Sequence, residues 1–79
     1  MKKFELVADQ YIEVFGKKLF RIRALVSIKS RYFVDIEAGT IGGYVEKEEN
    51  IAQDGDAWVA GNAWVAGNAW VAGNAWVEG

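Results

Sequence analysis

The side chains with the clearest chemical character in this 79-residue sequence are four tryptophans that recur at every sixth position. They are Trp58, Trp64, Trp70 and Trp76. An indole ring combines a broad apolar face with one polar N–H group, and an exposed aromatic patch usually marks a place where another molecule associates. If the rings face outward, they are available for contacts with a carbohydrate or with another surface. Simple shielding of the backbone by outward rings is the favoured interpretation, and contact with a carbohydrate or another surface is the alternative.

Two short acidic clusters form the second group of candidate functional residues. We expect both to be solvated corners that hold no metal ion and no cofactor. Weak cation binding is the alternative for the glutamate cluster, and the aspartate pair lacks the further spaced ligands of a calcium-binding EF-hand loop. The clusters contain Glu46, Glu48 and Glu49 around Lys47, and Asp54 and Asp56 around Gly55.

The tryptophans belong to a six-residue repeat, Ala-Trp-Val-Ala-Gly-Asn, which occurs three times and is followed by a further Ala-Trp-Val. Successive side chains of a strand point to opposite faces, so Ala and Val share one face and Trp takes the other. Gly and Asn tolerate positive φ and suit a corner. A strict short period is typical of a solenoid, and three such sides would make a coil of about 18 residues. The expected solenoid core consists of Val59, Val65, Val71, Val77, Ala57, Ala63, Ala69 and Ala75.

The repeat frame Val-Ala-Gly-Asn-Ala-Trp, as in residues 59–64, resembles the hexapeptide repeat of left-handed parallel β-helices. The whole chain is similar to a group of uncharacterised bacterial and phage-associated proteins, which combine segments like residues 11–25 and 41–46 with such repeats. The resemblance implies a left-handed, triangular β-solenoid. The best-known hexapeptide proteins are acyltransferases and zinc carbonic anhydrases, which use histidines as general bases or metal ligands. Because this chain has no histidine, we expect no catalytic residue and no enzymatic activity.

The segment before the repeats predicts a β cap. Two apolar-rich runs, residues 11–15 and 19–25, flank Gly16-Lys17, which suits a type II′ hairpin turn. Such a hairpin would cover the first coil and block its unpaired backbone groups. We therefore divide the single folding unit into a cap at residues 1–36 and a solenoid at residues 37–79. Ile51 and Val59 stand eight positions apart instead of six, so two extra residues should form a looser corner near residues 53–55.

Composition indicates a folded protein with an uneven charge distribution. Apolar residues make up 52% of the chain and charged residues 25%. The net charge is +4 for residues 1–36 and −6 for residues 37–79. No nucleic-acid-binding motif accompanies the basic half, and we expect no nucleic-acid partner. The chain has no apolar run long enough to span a membrane and no signal-peptide pattern, so we expect a cytoplasmic protein without a membrane partner. We do not expect a small-molecule ligand.

The three repeats are identical in sequence, which indicates a designed protein. We interpret it as an engineered array of consensus repeats that follows a capping domain of natural type. The predicted function is that of a structural, non-catalytic scaffold that self-assembles. Natural solenoids need a polar cap at each end, and the last coil here has none. We expect Val71, Ala75 and Val77 of two copies to meet end to end and form a homodimer. A carbohydrate- or surface-binding module that uses the tryptophans is the alternative.

Overall fold

The regular structure of the chain is all β, as predicted. The computed structural model describes residues 2–29 and 35–78. A single 3₁₀ turn, Glu48–Asn50, is the one helical element in these ranges. The six strands are β1 (Phe4–Val14), β2 (Lys17–Ala24), β3 (Ile41–Val45), β4 (Trp58–Ala60), β5 (Trp64–Val65) and β6 (Trp76–Glu78).

The strands form one mixed sheet and one parallel pair. The mixed sheet has the order β1-β2-β3-β5, and β4 pairs with β6. Strands β1, β2 and β3 are antiparallel neighbours, whereas β3 and β5 are parallel. The N-terminal hairpin and the first strand of the repeat half therefore share one hydrogen-bonded sheet.

The hairpin turn lies one residue earlier than predicted. Val14 pairs with Lys17, so the two central residues are Phe15 and Gly16. Both have positive φ, 50° and 80° respectively, which is the type I′ pattern instead of the predicted type II′. Both types of primed turn match the twist of the strands. The strand register, which pairs Tyr11 with Phe20, decides between them.

The repeat half is organised by parallel pairings between residues that stand 18 or 20 positions apart. The backbone N–H of Val71 also donates to the carbonyl of Asn50 at 2.8 Å, and that of Trp58 donates to the carbonyl of Ala75 at 3.1 Å. The paired aliphatic residues are Val45 with Val65, Ile51 with Val71, and Val59 with Val77.

The expected core residues differ in burial along the repeat half. The buried members are Ala57, Val59, Ala63, Val65 and Val71. Val77 is only half-buried, and Ala69 and Ala75 are exposed, so these two alanines are not core residues. The difference has a simple cause, because no described residue covers the outer side of the chain segment that carries them.

Two glycines of β3 allow this strand to lie close to the repeats. A Cβ atom on Gly42 would stand 2.6 Å from the carbonyl oxygen of Val59 and 2.8 Å from Cγ1 of Ile22. A Cβ on Gly43 would meet the carbonyl oxygen of Ala63 still more closely. Neither glycine has positive φ, so their role is to leave room between β3 and the backbone of the following coil.

Candidate functional site

The four tryptophans do not form one exposed surface. Trp58 is only 1% exposed and belongs to the same core cluster as Phe4 and Ile22. Its prediction as an outward ligand contact is therefore wrong, because the N-terminal strands cover that side of the coil. Trp76 pairs with Trp58 in register and is half-buried. Trp64 and Trp70 are 49% and 69% exposed.

A groove of about 480 Å³ runs beside Trp70, the most exposed of the four indoles. Its size falls within the range of small-molecule sites in proteins. The residues that line it are Glu48, Glu49, Ile51, Ala52, Gln53, Asp54 and Trp70. Most of the acidic clusters that we predicted to be solvated corners thus lie on the rim of a concave surface. We call it the Trp70 groove.

The extra residues between Ile51 and Val59 contribute one wall of this groove. Ile51 bridges to Val71, and eight positions separate Ile51 from Val59. The intervening residues 53–56 form a bend, in which Gly55 has a φ of 74°. The looser corner expected near residues 53–55 is thereby confirmed, and it brings Gln53 and Asp54 to the groove.

Asn50 fixes the opposite corner, and sequence reasoning missed it. The residue is fully buried. Its Nδ2 donates to the carbonyls of Gly67 at 3.1 Å and Ala69 at 2.9 Å, while its Oδ1 accepts from the backbone N–H of Lys47 at 2.9 Å. One signal was available: Asn50 directly precedes a core aliphatic residue, the position that Trp holds in each later repeat.

The polar groups of the groove fall into two classes. Glu48 forms an ion pair with Lys2 at 2.9 Å and accepts a hydrogen bond from Gln53 at 3.3 Å. Within residues 2–29 and 35–78, no hydrogen bond or ion pair reaches the side chain of Glu49 or Asp54. The groove consequently keeps two carboxylates whose hydrogen-bonding capacity is unused by the described chain.

Behind the groove, Lys3 ties the N-terminal segment to the looser corner. Its Nζ donates to the carbonyls of Ala57 at 2.7 Å and Gly55 at 3.3 Å. Gln53 accepts from the backbone N–H of Lys3 at 2.6 Å. Burial lowers the pKa of Lys3 below its usual value, although the attraction of Asp56 and Asp54 acts in the opposite direction.

The remaining members of the acidic clusters have structural partners. Glu46 accepts a hydrogen bond from the backbone N–H of Gly67 at 2.7 Å and lies 3.7 Å from the ammonium of Lys17. Among the described residues, no group of three or more His, Cys, Asp or Glu side chains is arranged to hold a metal ion. No helix in the same ranges is long and apolar enough to cross a membrane.

The self-association residues lie around the edge of β6. Val71 is buried, Val77 is half-buried and Ala75 is exposed. In the described part of the chain, β6 pairs on one side only, with β4. The other side of β6 therefore presents backbone groups to which a further strand could pair.

Comparison with known proteins gives one curated match. The uncharacterized acetyltransferase YdcK of Escherichia coli (strain K12) is 35% identical to the chain over 63 residues. The matched region covers 75% of this chain but 19% of YdcK, so the chain spans about a fifth of the relative's length. No family model matches the sequence, and no solved structure shows a significant match.

This match contradicts the expectation that the chain has no enzymatic activity. The curated relative is named as an acetyltransferase, so the absence of histidine was given too much weight. A carboxylate can also serve as a general base. The catalytic groups of an enzyme also need not lie in the stretch that two chains share. The match does not bear on whether the identical repeats are engineered, which stays a prediction.

Proposed function

We propose that the chain is a capped, triangular β-solenoid of the left-handed hexapeptide type. The observation that carries the proposal is the parallel register, in which three successive aliphatic positions are each paired with a residue 20, 20 and 18 positions later. Three pairings per turn are what a three-sided coil requires. The left hand rests on the resemblance of the repeats alone, since parallel crossovers are otherwise right-handed.

The proposed role is that of a scaffold unit in an acetyltransferase-type protein. The name of the E. coli relative supports this role, and the shared stretch includes most of the present chain. In such a protein the sheet β1-β2-β3 would close one end of the coil, while the coil would position the groups that bind the acetyl donor and the acceptor. Acetyl transfer needs a base that removes the acceptor's proton and a surface that holds the donor thioester.

Two measurements test the scaffold and the chemistry separately. Val65 is buried and Trp64 is half exposed, so Val65→Asp should abolish folding whereas Trp64→Arg should be tolerated, because a buried unpaired carboxylate costs several kcal/mol. Circular dichroism distinguishes these outcomes, and the reverse pattern would invert the proposed facing of the repeat. Calorimetric titration with acetyl-coenzyme A should give saturable binding. No heat at millimolar donor would remove the acetyltransferase role and leave the solenoid intact.

Self-association through the last coil is the second part of the proposal. The unpaired side of β6 and the exposed Ala75 support it, because a second copy could extend the sheet in an isologous, two-fold contact. Glu78 of each copy would lie near the joint, so added salt should strengthen the dimer by screening their repulsion. Sedimentation at two salt concentrations tests this. A strict monomer, or a dimer that survives lysine substitution of Val71 and Val77, would overturn it.

A further inference from the structure

The Trp70 groove combines an exposed aromatic ring with a small aliphatic surface. Trp70 is 69% exposed, so a large part of its indole surface is available to a ligand. Ala52 supplies apolar atoms beside it, whereas the side chain of Ile51, which also lines the groove, is only 2% exposed. An aromatic face next to an aliphatic surface favours a ligand that has methylene groups as well as a polar end.

The described residues that line the groove carry charge of one sign. Three of them are carboxylates, and within residues 2–29 and 35–78 no lysine or arginine lines it. Lys2 compensates Glu48 through their ion pair, but Glu49 and Asp54 have no hydrogen bond or ion pair within the described ranges. Asp54 is also attracted to the Lys3 ammonium, which partly offsets the lowering of the Lys3 pKa by burial, so Glu49 is the freest of the three charges. An anionic ligand would therefore be repelled from the groove.

From this geometry we propose that the Trp70 groove binds a small aliphatic amine in its protonated form. An ammonium group is attracted to the face of an indole and to carboxylates at once. Its methylene chain would lie along the indole ring and on Ala52, and a diamine would bring a second cation to the remaining acidic rim. A neutral sugar could stack on the same ring, but it would leave the two free carboxylates without a counter-charge. The proposal does not depend on the acetyltransferase role.

Putrescine is a suitable probe, and 1,4-butanediol is its uncharged control with the same carbon chain. Titration of the full chain at low salt, followed by indole N–H signals in two-dimensional NMR, should show saturable shifts of the Trp70 signal with putrescine. The diol should give none, and added salt should weaken the binding because exposed charges are screened. Equal shifts with the diol, or no shift with putrescine at millimolar concentration, would overturn the proposal. Saturable binding of glucose but not putrescine would overturn it in favour of a carbohydrate site.

Matched substitutions localise the site. Trp70→Ala should weaken putrescine binding about two- to fivefold through loss of the cation–π contact, and Glu49→Gln should weaken it about twofold or more. Trp64→Ala is the control, because Trp64 occupies the same position of the repeat, is also exposed and lies outside the groove. All three changes are at surface positions, so the fold should persist. An equal loss with Trp64→Ala and Trp70→Ala would contradict binding in this groove.

Discussion

Replacement of Asn50 by alanine should destabilise the protein more than any other substitution of an asparagine in the repeat half. The change deletes three side-chain hydrogen bonds, two donated to the carbonyls of Gly67 and Ala69 and one accepted from the backbone N–H of Lys47. Each such bond contributes about 0.5–1.5 kcal/mol net. The expected loss is therefore about 2–4 kcal/mol, a large part of the about 5–15 kcal/mol that holds a typical domain together.

The assay is thermal and urea unfolding followed by circular dichroism. For a domain of this size, a loss of about 2–4 kcal/mol corresponds to a fall in Tm of about 10–30 °C. Asn74→Ala is the matched control, because Asn74 is exposed and its side chain makes no hydrogen bond to the described residues. It should change the free energy of unfolding by less than about 0.5 kcal/mol.

Asn50→Asp separates the two kinds of bond. The carboxylate can still accept from Lys47, but it cannot donate to either carbonyl and would face both of them with negative charge. It should be at least as damaging as alanine at neutral pH and should recover in part in acid, where the carboxyl is protonated. If Asn50→Ala behaves like Asn74→Ala, the buried amide does not hold the corner and the reasoning fails.

Three further predictions follow from the cap and the glycines. Phe15→Asn should stabilise the protein by up to about 1 kcal/mol in urea unfolding, because asparagine tolerates the positive φ of the hairpin turn; an equal gain with Phe15→Ala would contradict this reason. The lowered pKa of Lys3 means that the unfolded chain binds more protons between that pKa and 10.5, so stability should rise with pH across this interval. Lys3→Met should lack the rise, and identical pH profiles would refute it. Gly43→Ala should lower the free energy of unfolding by about 1–3 kcal/mol or more, because the added Cβ overlaps the backbone at Ala63. Gly67→Ala should lower it by only about 1 kcal/mol, because the site has open space and only the positive φ is unfavourable. Equal losses would show that close approach at Gly43 is not the reason.

The sequence predicted those features that depend on local chemistry. Strand alternation correctly placed Val59 and Val65 in the core, and the eight-residue interval after Ile51 correctly indicated a looser corner. The hairpin was predicted because a glycine separates two apolar-rich runs. Its turn was misplaced by one residue because a Phe at positive φ is uncommon.

The features that the sequence did not reveal arise from contacts between distant segments. Trp58 carries the same local pattern as Trp64, yet strands from the other half of the chain bury it. Asn50 has no distinguishing local pattern, because the carbonyls that accept its hydrogen bonds belong to Gly67 and Ala69, 17 and 19 positions later. The Trp70 groove likewise forms only because the bend at residues 53–56 lies beside the indole of Trp70, which is distant in sequence.

The unequal spacing of the parallel pairings, 20 positions in two cases and 18 in the third, bears on how the identical repeats are aligned with the rest of the chain. Residues 57–77 repeat without variation, so sliding that segment by six positions puts the same residue types back on every side, and the array by itself cannot tell one alignment from another. The length of the segment before the repeats limits this ambiguity, because Val45 pairs with Val65, 20 positions later, and a slide by six would leave 14 or 26 positions between the two partners. The Asn50 amide does not limit it, because its acceptors, the carbonyls of Gly67 and Ala69, belong to residue types that recur in each repeat. The segment that is least like the repeat therefore sets the alignment of the identical repeats. Whole six-residue repeats could be added or deleted after this segment without changing the alignment, so the number of repeats can vary independently of it.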